Sequence, residues 1–527
     1  MSDRLVRGGR VVDGSGAPPA RADVLIRRGR IDAVEPPGRI PADAAPTIDA
    51  SGLVVAPGFI DVHSHADNAP LLADDDTSKI LQGVTTEVVG NCGESLAPAS
   101  TLAPESFAAF ADRTFPPLDV TWSSWSEFTE RTDALGYVTN YAPLVGHGPL
   151  RIAVLGLDDR APDADELTLM RRELDKALDG GAFGMSSGLI YPPGIFSDTG
   201  ELIALARQLG PDGLYVTHLR NEGSQLLNSI READRIGRTA RCRVHISHLK
   251  ARGRDNWGRM PLALDLVKEL GSDRPLTKDI YPYTAGSTVL TAMLPPHFLT
   301  GGNDAVLGRL SSPERRRELA HAMEHGIDGW ESHLHAAGGW DNVMVSSTHS
   351  HRHEGRTLTE IAADLELSPV DALIRVLTEE RLRATMVLFV MDPGDVRDAF
   401  ADPDTMVGSD GLPPGGGGKP HPRAFGTFPR ILAEYVRTEK LMELGEAVRR
   451  MTSLPAEVFR IPERGLVRRG YVADLVAFDP DHVDHVCDYR DPVRAPAGIG
   501  WVMQAGAITV EGSHYIGPRR GVRLRPA

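Results

Sequence analysis

Apolar and polar positions change their spacing twice along the chain. Residues 1–56 contain short apolar runs separated by Gly, Asp and Pro, which is the spacing of strands and hairpins. The C-terminal segments 473–480 and 498–515 return to the same style. Neither end has enough strands for a stable sheet alone. We therefore predict one small β-sandwich or β-barrel domain built from both termini, residues 1–56 and 462–527.

Between the two ends, apolar strands alternate with amphipathic helices. A helix is predicted over 165–178, where four apolar residues recur at helical spacing before two glycines. This alternation predicts parallel βα units, an α/β fold and a (β/α)8 TIM barrel over residues 57–461. A segment at about 285–348, rich in Gly, His and charge, is predicted to be an insertion.

Nine candidate strands compete for the eight places of such a barrel. We predict that 387–391 is the peripheral one. The candidate strands are 59–63, 84–90, 138–145, 182–187, 214–218, 243–248, 276–281, 387–391 and 406–410.

Composition narrows the class of protein. With 527 residues and 41% hydrophobic content, the chain can bury a large core. A formal charge of −15 argues against nucleic acid or an anionic membrane as the main partner. The 3 cysteines are too few for a disulfide framework, and neither the N-terminus nor any later segment shows the apolar run of a signal or membrane span. We expect a cytoplasmic protein, with homo-oligomer formation left open.

Candidate metal ligands lie at the ends of the predicted strands. His63 and His65 are two residues apart, so alternation along a strand points both in one direction and lets them bind one metal ion. A chance His-x-His is common in a chain with 18 histidines, so the remaining ligands must support the interpretation. The C-terminal strand ends of a barrel converge on one site. The residues at the other strand ends are Cys92, His218, His248 and Asp410.

The softness of these ligands indicates the metal. A thiolate with two imidazoles favours Zn²⁺, so Cys92, His218 and His248 are predicted to hold one tight zinc ion. The pair of histidines at 63 and 65, with Asp410, would form an adjacent, weaker second site. Zinc can lower the pKa of bound water to about 7 and polarise a carbonyl. Asp410 then fits as general acid/base, which predicts metal-assisted hydrolysis of a carbonyl compound.

Structural explanations compete with each of these assignments. Cys92 could be a buried free thiol, and His218 and His248 could be histidines satisfied within the core. His245 lies three residues from His248 and so on the opposite strand face, where a structural role is favoured. The histidine-rich run at 348–353 lacks a strand pattern and is predicted to be a solvated loop.

Several separate blocks of the sequence resemble the amidohydrolase superfamily, and more closely its N-acyl-D-amino-acid deacylase (D-aminoacylase) branch. The resemblance implies a TIM barrel with a small β domain, zinc at Cys92, His218 and His248, and Asp410 as the catalytic acid/base. In this branch the cysteine replaces the carboxylated lysine that bridges metals elsewhere in the superfamily. The blocks are 56–67, 82–93, 188–194, 247–250, 279–287, 408–411 and 421–430.

The resemblance also implies a substrate with a free α-carboxylate. Lys250 lies two residues beyond a predicted zinc ligand, so one substrate could contact both. The loop 412–419 is long and glycine-rich and departs from the family pattern, which leaves acyl-chain preference open. The residues implied to bind the substrate are Lys250, Tyr191, Tyr281 and Ser287, with Arg423 as a further cation.

The resulting prediction is zinc-dependent hydrolysis of an N-acyl-D-amino acid to a carboxylate and a free D-amino acid. Two alternatives remain open. One is a cyclic amide or imide hydrolase, which would not need donors for an α-carboxylate. The other is a catalytically silent scaffold or binding protein on the same fold. Residue types alone do not determine the chirality of the substrate.

Overall fold

A computed structural model describes residues 3–99, 102–115, 118–327, 330–412 and 418–527. Short strands occupy both termini, and buried strands alternate with helices between them. The strands are β1 Arg4–Arg7, β2 Arg10–Val11, β3 Ala20–Arg21, β4 Asp23–Arg27, β5 Arg30–Glu35, β6 Thr47–Asp49, β7 Val54–Pro57, β8 Phe59–Asp61, β9 Val84–Val89, β10 Asn140–Pro143, β11 Val145–Gly146, β12 Gly184–Gly188, β13 Leu214–His218, β14 Arg243–Ile246, β15 Leu276–Ile280, β16 Ala285–Val289, β17 Val343–Thr348, β18 Arg356–Thr357, β19 Ala384–Phe389, β20 Thr405–Val407, β21 Leu475–Phe478, β22 Ile499–Gln504, β23 Ala507–Glu511 and β24 His514–Tyr515.

The helices pack mainly around the central strands. The predicted helix at 165–178 is confirmed as Ala164–Asp179. The Asp163 side chain accepts a hydrogen bond from the backbone nitrogen of Glu166, and the Glu166 side chain accepts one from the backbone nitrogen of Asp163. The helices are α1 Pro104–Thr114, α2 Trp125–Leu135, α3 His147–Leu155, α4 Ala164–Asp179, α5 Thr199–Ala206, α6 Leu226–Ala240, α7 Met260–Leu270, α8 Gly302–Ser311, α9 Pro313–His325, α10 His333–Ala337, α11 Leu358–Leu365, α12 Pro369–Glu379, α13 Pro393–Ala401, α14 Arg423–Arg430, α15 Leu444–Met451 and α16 Ser453–Val458. None of the helices in the described ranges is long and apolar enough to cross a membrane.

The central strands pair in parallel and in chain order. β8 pairs with β9 and β9 with β10, and a second series runs from β11 through β12, β13, β14 and β15 to β20. Leu144 alone separates β10 from β11, and an isolated parallel bridge joins Ser64 and Gly411 just beyond β8 and β20. The parallel pairing and the strand order agree with the predicted α/β class.

The predicted peripheral strand is confirmed. β19 lies in a separate antiparallel sheet of order β16-β19-β17-β18. The chain between the last two central strands, β15 and β20, therefore includes this sheet and several helices, and it extends well beyond the predicted insertion at 285–348.

Both termini contribute to one small β domain, as predicted. A sheet of order β24-β23-β22-β21-β7-β2-β3 joins N-terminal and C-terminal strands, and β7 pairs with both β21 and β2. A second sheet, β5-β4-β1-β6, packs its apolar residues against the first. The exact boundaries at residues 56 and 461 stay predictions.

The interior of the parallel strands is filled by apolar side chains at every second position. Ile60 and Val62 from one strand region meet Leu214 and Val216 from another, and Leu524 from the C-terminal tail packs into the same cluster. Backbone hydrogen bonds from Tyr141 to Val522 and from Leu524 to Tyr141 hold this tail in place. The tail thereby closes part of the core.

Replacement of Leu524 by alanine tests this role of the tail. Leu524 is 6% exposed, so the Leu524→Ala variant should lose about 2–4 kcal/mol of unfolding free energy because a cavity remains. Val522→Ala is the matched control, since Val522 is 49% exposed and should cost under about 0.5 kcal/mol. Denaturant unfolding measures both, and equal effects would contradict the packing role.

Candidate metal centre

Cys92 sits in a tight turn directly after β9. Gly90 and Gly93 both have positive φ values, of 78° and 73°, and Cys92 itself has φ 52°. A side chain at Gly93 would approach the backbone nitrogen of Gly188, and one at Gly188 would overlap the carbonyl oxygen of Cys92. The glycines therefore let the turn pack closely against β12 and fix the position of the thiol.

The thiol of Cys92 is the centre of a cluster of buried imidazoles. Its Sγ lies 3.6 Å from Nδ1 of His218 and 3.5 Å from Nε2 of His248. Nε2 of His63 is 3.3 Å from the same sulfur. The donor atoms of Cys92, His218 and His248 all lie within 4.8 Å of one another, as a metal site requires.

A second group of donor atoms shares the same sulfur. It consists of His63, His65, Cys92 and Asp410, again within 4.8 Å of one another. Oδ1 of Asp410 lies 3.4 Å from Nε2 of His63 and 3.2 Å from Nε2 of His65. The arrangement therefore allows Cys92 to bridge two metal positions.

The spacing of these atoms fits zinc. With Zn–S of about 2.3 Å and Zn–N of about 2.0–2.1 Å, tetrahedral geometry places sulfur and nitrogen about 3.5 Å apart. The two distances from Cys92 to His218 and His248 agree with this value. Burial raises the pKa of the Cys92 thiol well above its usual range, and the charges of Asp410 and Glu94 raise it further. A thiolate at this position thus requires a neighbouring cation.

Three of these residues lie just beyond their strands rather than within them. The predicted strands 84–90, 243–248 and 406–410 end at residues 89, 246 and 407. Cys92, His248 and Asp410 all have positive φ, of 52°, 33° and 51°. Positive φ in a residue other than glycine is uncommon and clusters at functional sites. The backbone turns here and carries the three side chains over the strand ends.

Two buried carboxylates behind the histidines were missed by the sequence analysis. Oε1 of Glu222 lies 3.2 Å from Nδ1 of His248, and its Oε2 lies 3.6 Å from Nε2 of His218. Oδ2 of Asp279 lies 3.5 Å from Nδ1 of His63. Such carboxylates fix the ring orientation of metal-binding histidines. The spacing of Glu222, four residues after His218, was the available signal.

Arg423 and the two nearby histidines determine the charge of Asp410. Nη1 of Arg423 lies 2.7 Å from Oδ2 of Asp410, which leaves Oδ1 facing the histidines. Burial opposes ionisation, but the positive charge of Arg423 holds the pKa of Asp410 well below its usual range. Asp410 is therefore an anion at neutral pH and can accept a proton.

A cavity opens onto the cluster. Four of the five predicted substrate-binding residues line it: Lys250, Tyr191, Tyr281 and Ser287. The fifth, Arg423, is buried behind this wall, where it stacks on the Tyr281 ring and donates from Nη2 to the carbonyl oxygen of Ser287 at 3.0 Å. Arg423 therefore contacts Asp410 and the residues of the cavity wall, and it does not itself line the cavity.

A second cavity adjoins the first. The two share Glu94, Ile190, Tyr191 and Val289. The second is lined mainly by apolar side chains. These include Phe110, Pro192, Leu294, Pro296, Leu299 and Trp330. The combined space is polar beside the cluster and apolar farther away.

His245 and the exposed histidines at 349 and 351 behave as the sequence predicts. His245 is buried with both ring nitrogens satisfied, by Thr277 and Asp279. His349 and His351 are exposed, and no metal-binding group among the described residues includes the run 348–353. Of the glycine-rich loop, residues 413–417 lie outside the described residues.

The chain belongs to the amidohydrolase family, whose model matches residues 46–181 and 319–499. An N-acyl-D-aspartate deacylase of Alcaligenes xylosoxydans xylosoxydans is 35% identical over 539 residues, covering 100% of this chain and 95% of the relative. A D-aminoacylase of the same organism is 36% identical over 528 residues, covering 98% and 96%.

Solved structures agree with this relationship. An N-acyl-D-glutamate deacylase from Bordetella bronchiseptica, complexed with zinc and a phosphonate mimic of the tetrahedral intermediate, matches at TM-score 0.84 with 36% identity over 100% of both chains. A D-aminoacylase with a binuclear metal centre matches at TM-score 0.82, with the same identity and coverage. The L-hydantoinase of Arthrobacter aurescens, at TM-score 0.56 and 17% identity, shares the fold alone.

The Glu222→Gln variant tests whether this carboxylate orients His218 and His248 for metal binding. Loss of the carboxylate charge beside two ring nitrogens should weaken zinc binding about 10–100-fold. Competition with a chelator measures this directly. Glu511→Gln, at an exposed strand end, is the matched control and should retain the affinity of the unaltered protein. Equal zinc retention in both variants would show that Glu222 does not support the site.

Proposed function

We propose that this protein is a zinc-dependent N-acyl-D-amino-acid deacylase, which hydrolyses its substrate to a carboxylate and a free D-amino acid. The observation that carries the proposal is the cluster of sulfur, imidazole and carboxylate donors around Cys92, at the wall of a cavity with Lys250, Tyr281 and Ser287. Relatives covering nearly the whole chain are deacylases of N-acyl-D-amino acids, which supports the substrate class.

Cys92, His218 and His248 would hold the tight zinc ion. His63, His65 and Asp410, with the shared Cys92, would form the weaker second position. The binuclear centre of the related D-aminoacylase, with one-metal activation and second-metal attenuation, supports this division. When bound, zinc supplies a Lewis acid for the carbonyl and lowers the pKa of water to about 7.

Asp410 would be the general acid/base. As an anion, it takes a proton from the attacking water on Oδ1, the oxygen that Arg423 leaves free. It then delivers that proton to the amide nitrogen as the carbon–nitrogen bond breaks. The products are a carboxylic acid and a free amine.

The substrate's α-carboxylate would be held beside the metal cluster. The hydroxyl of Tyr281 is buried without a hydrogen-bond partner among the described residues, and Ser287 lines the same cavity. Lys250 adds positive charge, with Nζ 2.8 Å from Nδ1 of His248. Tyr191 accepts a hydrogen bond from Thr288 at 3.0 Å and would still donate its own proton. Arg423 would contribute its charge through the wall.

The shape of the cavity also favours an N-acyl amino acid. Such a molecule is anionic at one end and apolar at the acyl end. The polar cavity beside the cluster and the apolar cavity that adjoins it match this division. The acyl group would then extend toward Leu294 and Leu299.

The two alternatives receive less support. A cyclic amide or imide hydrolase would not need an α-carboxylate site, yet Lys250, Tyr281 and Ser287 all lie at the cavity. A catalytically silent scaffold would be expected to lose metal ligands, whereas all six candidate ligand positions carry a donor atom. A cytoplasmic location and a homo-oligomer stay predictions.

Hydrolysis by the zinc-loaded protein tests the proposal. N-acetyl derivatives of neutral and acidic amino acids would be offered as D and L enantiomers while released amine is followed. We expect release from D substrates only. No release from any derivative, together with turnover of a cyclic amide such as a hydantoin, would contradict the proposal.

Cys92→Ala tests the metal assignment in the same assay. Removal of the sulfur shared by both donor groups should abolish tight zinc binding and amide hydrolysis. Cys242→Ala is the matched control, because Cys242 is also a buried free cysteine but belongs to neither group. Metal analysis and the amine assay report the outcome, and full zinc content with an unchanged rate in Cys92→Ala would refute the assignment.

A further inference from the structure

Arg252 is a buried cation at the wall of the main cavity. It lies two residues beyond Lys250, lines the cavity and is only 4% exposed. Among the described residues, its Nη2 has no hydrogen-bond partner. A buried charge is costly unless it is paired, so this guanidinium is suited to receive an anion from the cavity.

Each of the other two cations near the cluster has a protein carboxylate as a partner. Nζ of Lys250 lies 2.5 Å from Oε1 of Glu222 and donates at 3.0 Å to the carbonyl oxygen of His248. Arg423 pairs with Asp410 at 2.7 Å. The Nη2 atom of Arg252 is buried and has no hydrogen-bond partner within the described part of the chain.

The side chains of Glu331 and His333 near Arg252 do not take the place of an anionic ligand. Glu331 interacts electrostatically with Arg252, but the two form no salt bridge within the described residues, and Glu331 accepts a hydrogen bond from the backbone nitrogen of Glu222 at 3.2 Å. His333 lines the cavity, and burial together with the charge of Arg252 keeps its pKa well below the usual range. His333 is therefore neutral, and the positive charge at this wall belongs to Arg252.

Backbone hydrogen bonds hold Arg252 at the cavity wall. Its backbone nitrogen donates to the carbonyl oxygen of Glu222 at 2.8 Å, and the next residue, Gly253, donates to Val390 at 2.8 Å. The α-carboxylate is joined to the scissile nitrogen through one carbon, so it must stay beside the metal ligands. A group at the end of the amino-acid side chain can reach farther.

We propose that Arg252 binds the side-chain carboxylate of an acidic substrate, an N-acyl-D-glutamate or N-acyl-D-aspartate. This inference rests on the proposed deacylase function and specifies its substrate class. The guanidinium and the carboxylate would form a charge-assisted, bidentate pair inside the cavity. Arg252 is then a specificity-determining residue that takes no part in the bond-breaking step.

Comparison of a carboxylate with its isosteric amide tests the assignment. The unaltered enzyme should show kcat/KM about 10–100-fold higher on N-acetyl-D-glutamate than on N-acetyl-D-glutamine. Arg252→Met should remove that preference while it leaves the glutamine substrate within about 3-fold, and Arg252→Lys should restore part of it. Arg254→Met, an exposed arginine two residues farther on, is the matched control and should keep the preference.

The outcomes separate this inference from the function on which it rests. Turnover of neutral N-acetyl-D-amino acids without preference for the acidic ones would overturn the role of Arg252 and leave the deacylase function standing. Equal loss on all substrates in Arg252→Met would also overturn it, since an α-carboxylate or structural role would then explain the residue. Binding of free D-glutamate and D-glutamine to the unaltered protein gives a readout independent of folding and turnover. Equal affinities would contradict the proposal.

Discussion

The contact of one thiol with three imidazoles is the constraint on which the site depends. Cys92 reaches His63, His218 and His248, which come from three different strand ends. The separations of the sulfur from His218 and His248, 3.6 and 3.5 Å, are those that one tetrahedral zinc ion would set. We propose that the site is a metal centre in which the cysteine is the shared ligand.

The residues packed around Cys92 restrict the movement of its turn and of the neighbouring histidine rings. Gly188 lies against the carbonyl of Cys92 where a side chain would overlap it, so β12 supports the turn from one side. From behind, Glu222 contacts both His218 and His248, while Asp279 contacts His63. Glu222 also pairs with Lys250, so one carboxylate links metal-ligand orientation to the charge of the substrate cavity.

The sequence predicts the fold and the residues that converge at the strand ends. It does not predict the contacts that hold their side chains in position. Parallel strands place their C-terminal ends together, so residues at several strand ends can be expected to meet without knowledge of the coordinates. The direction of a side chain after a strand ends is different. Asp410 and His248 leave their strands through left-handed backbone, which alternation cannot predict. Glu222 and Arg252 matter through contacts across loops, which depend on those turns.

Anomalous diffraction at the zinc edge, from crystals of the zinc-loaded protein, tests the central claim most directly. The account predicts a peak about 2.3 Å from the Cys92 sulfur and about 2.0–2.1 Å from Nδ1 of His218 and Nε2 of His248. A weaker second peak should lie between His63, His65 and Asp410. Zinc bound elsewhere, or bound to the histidines without the sulfur, would contradict the account.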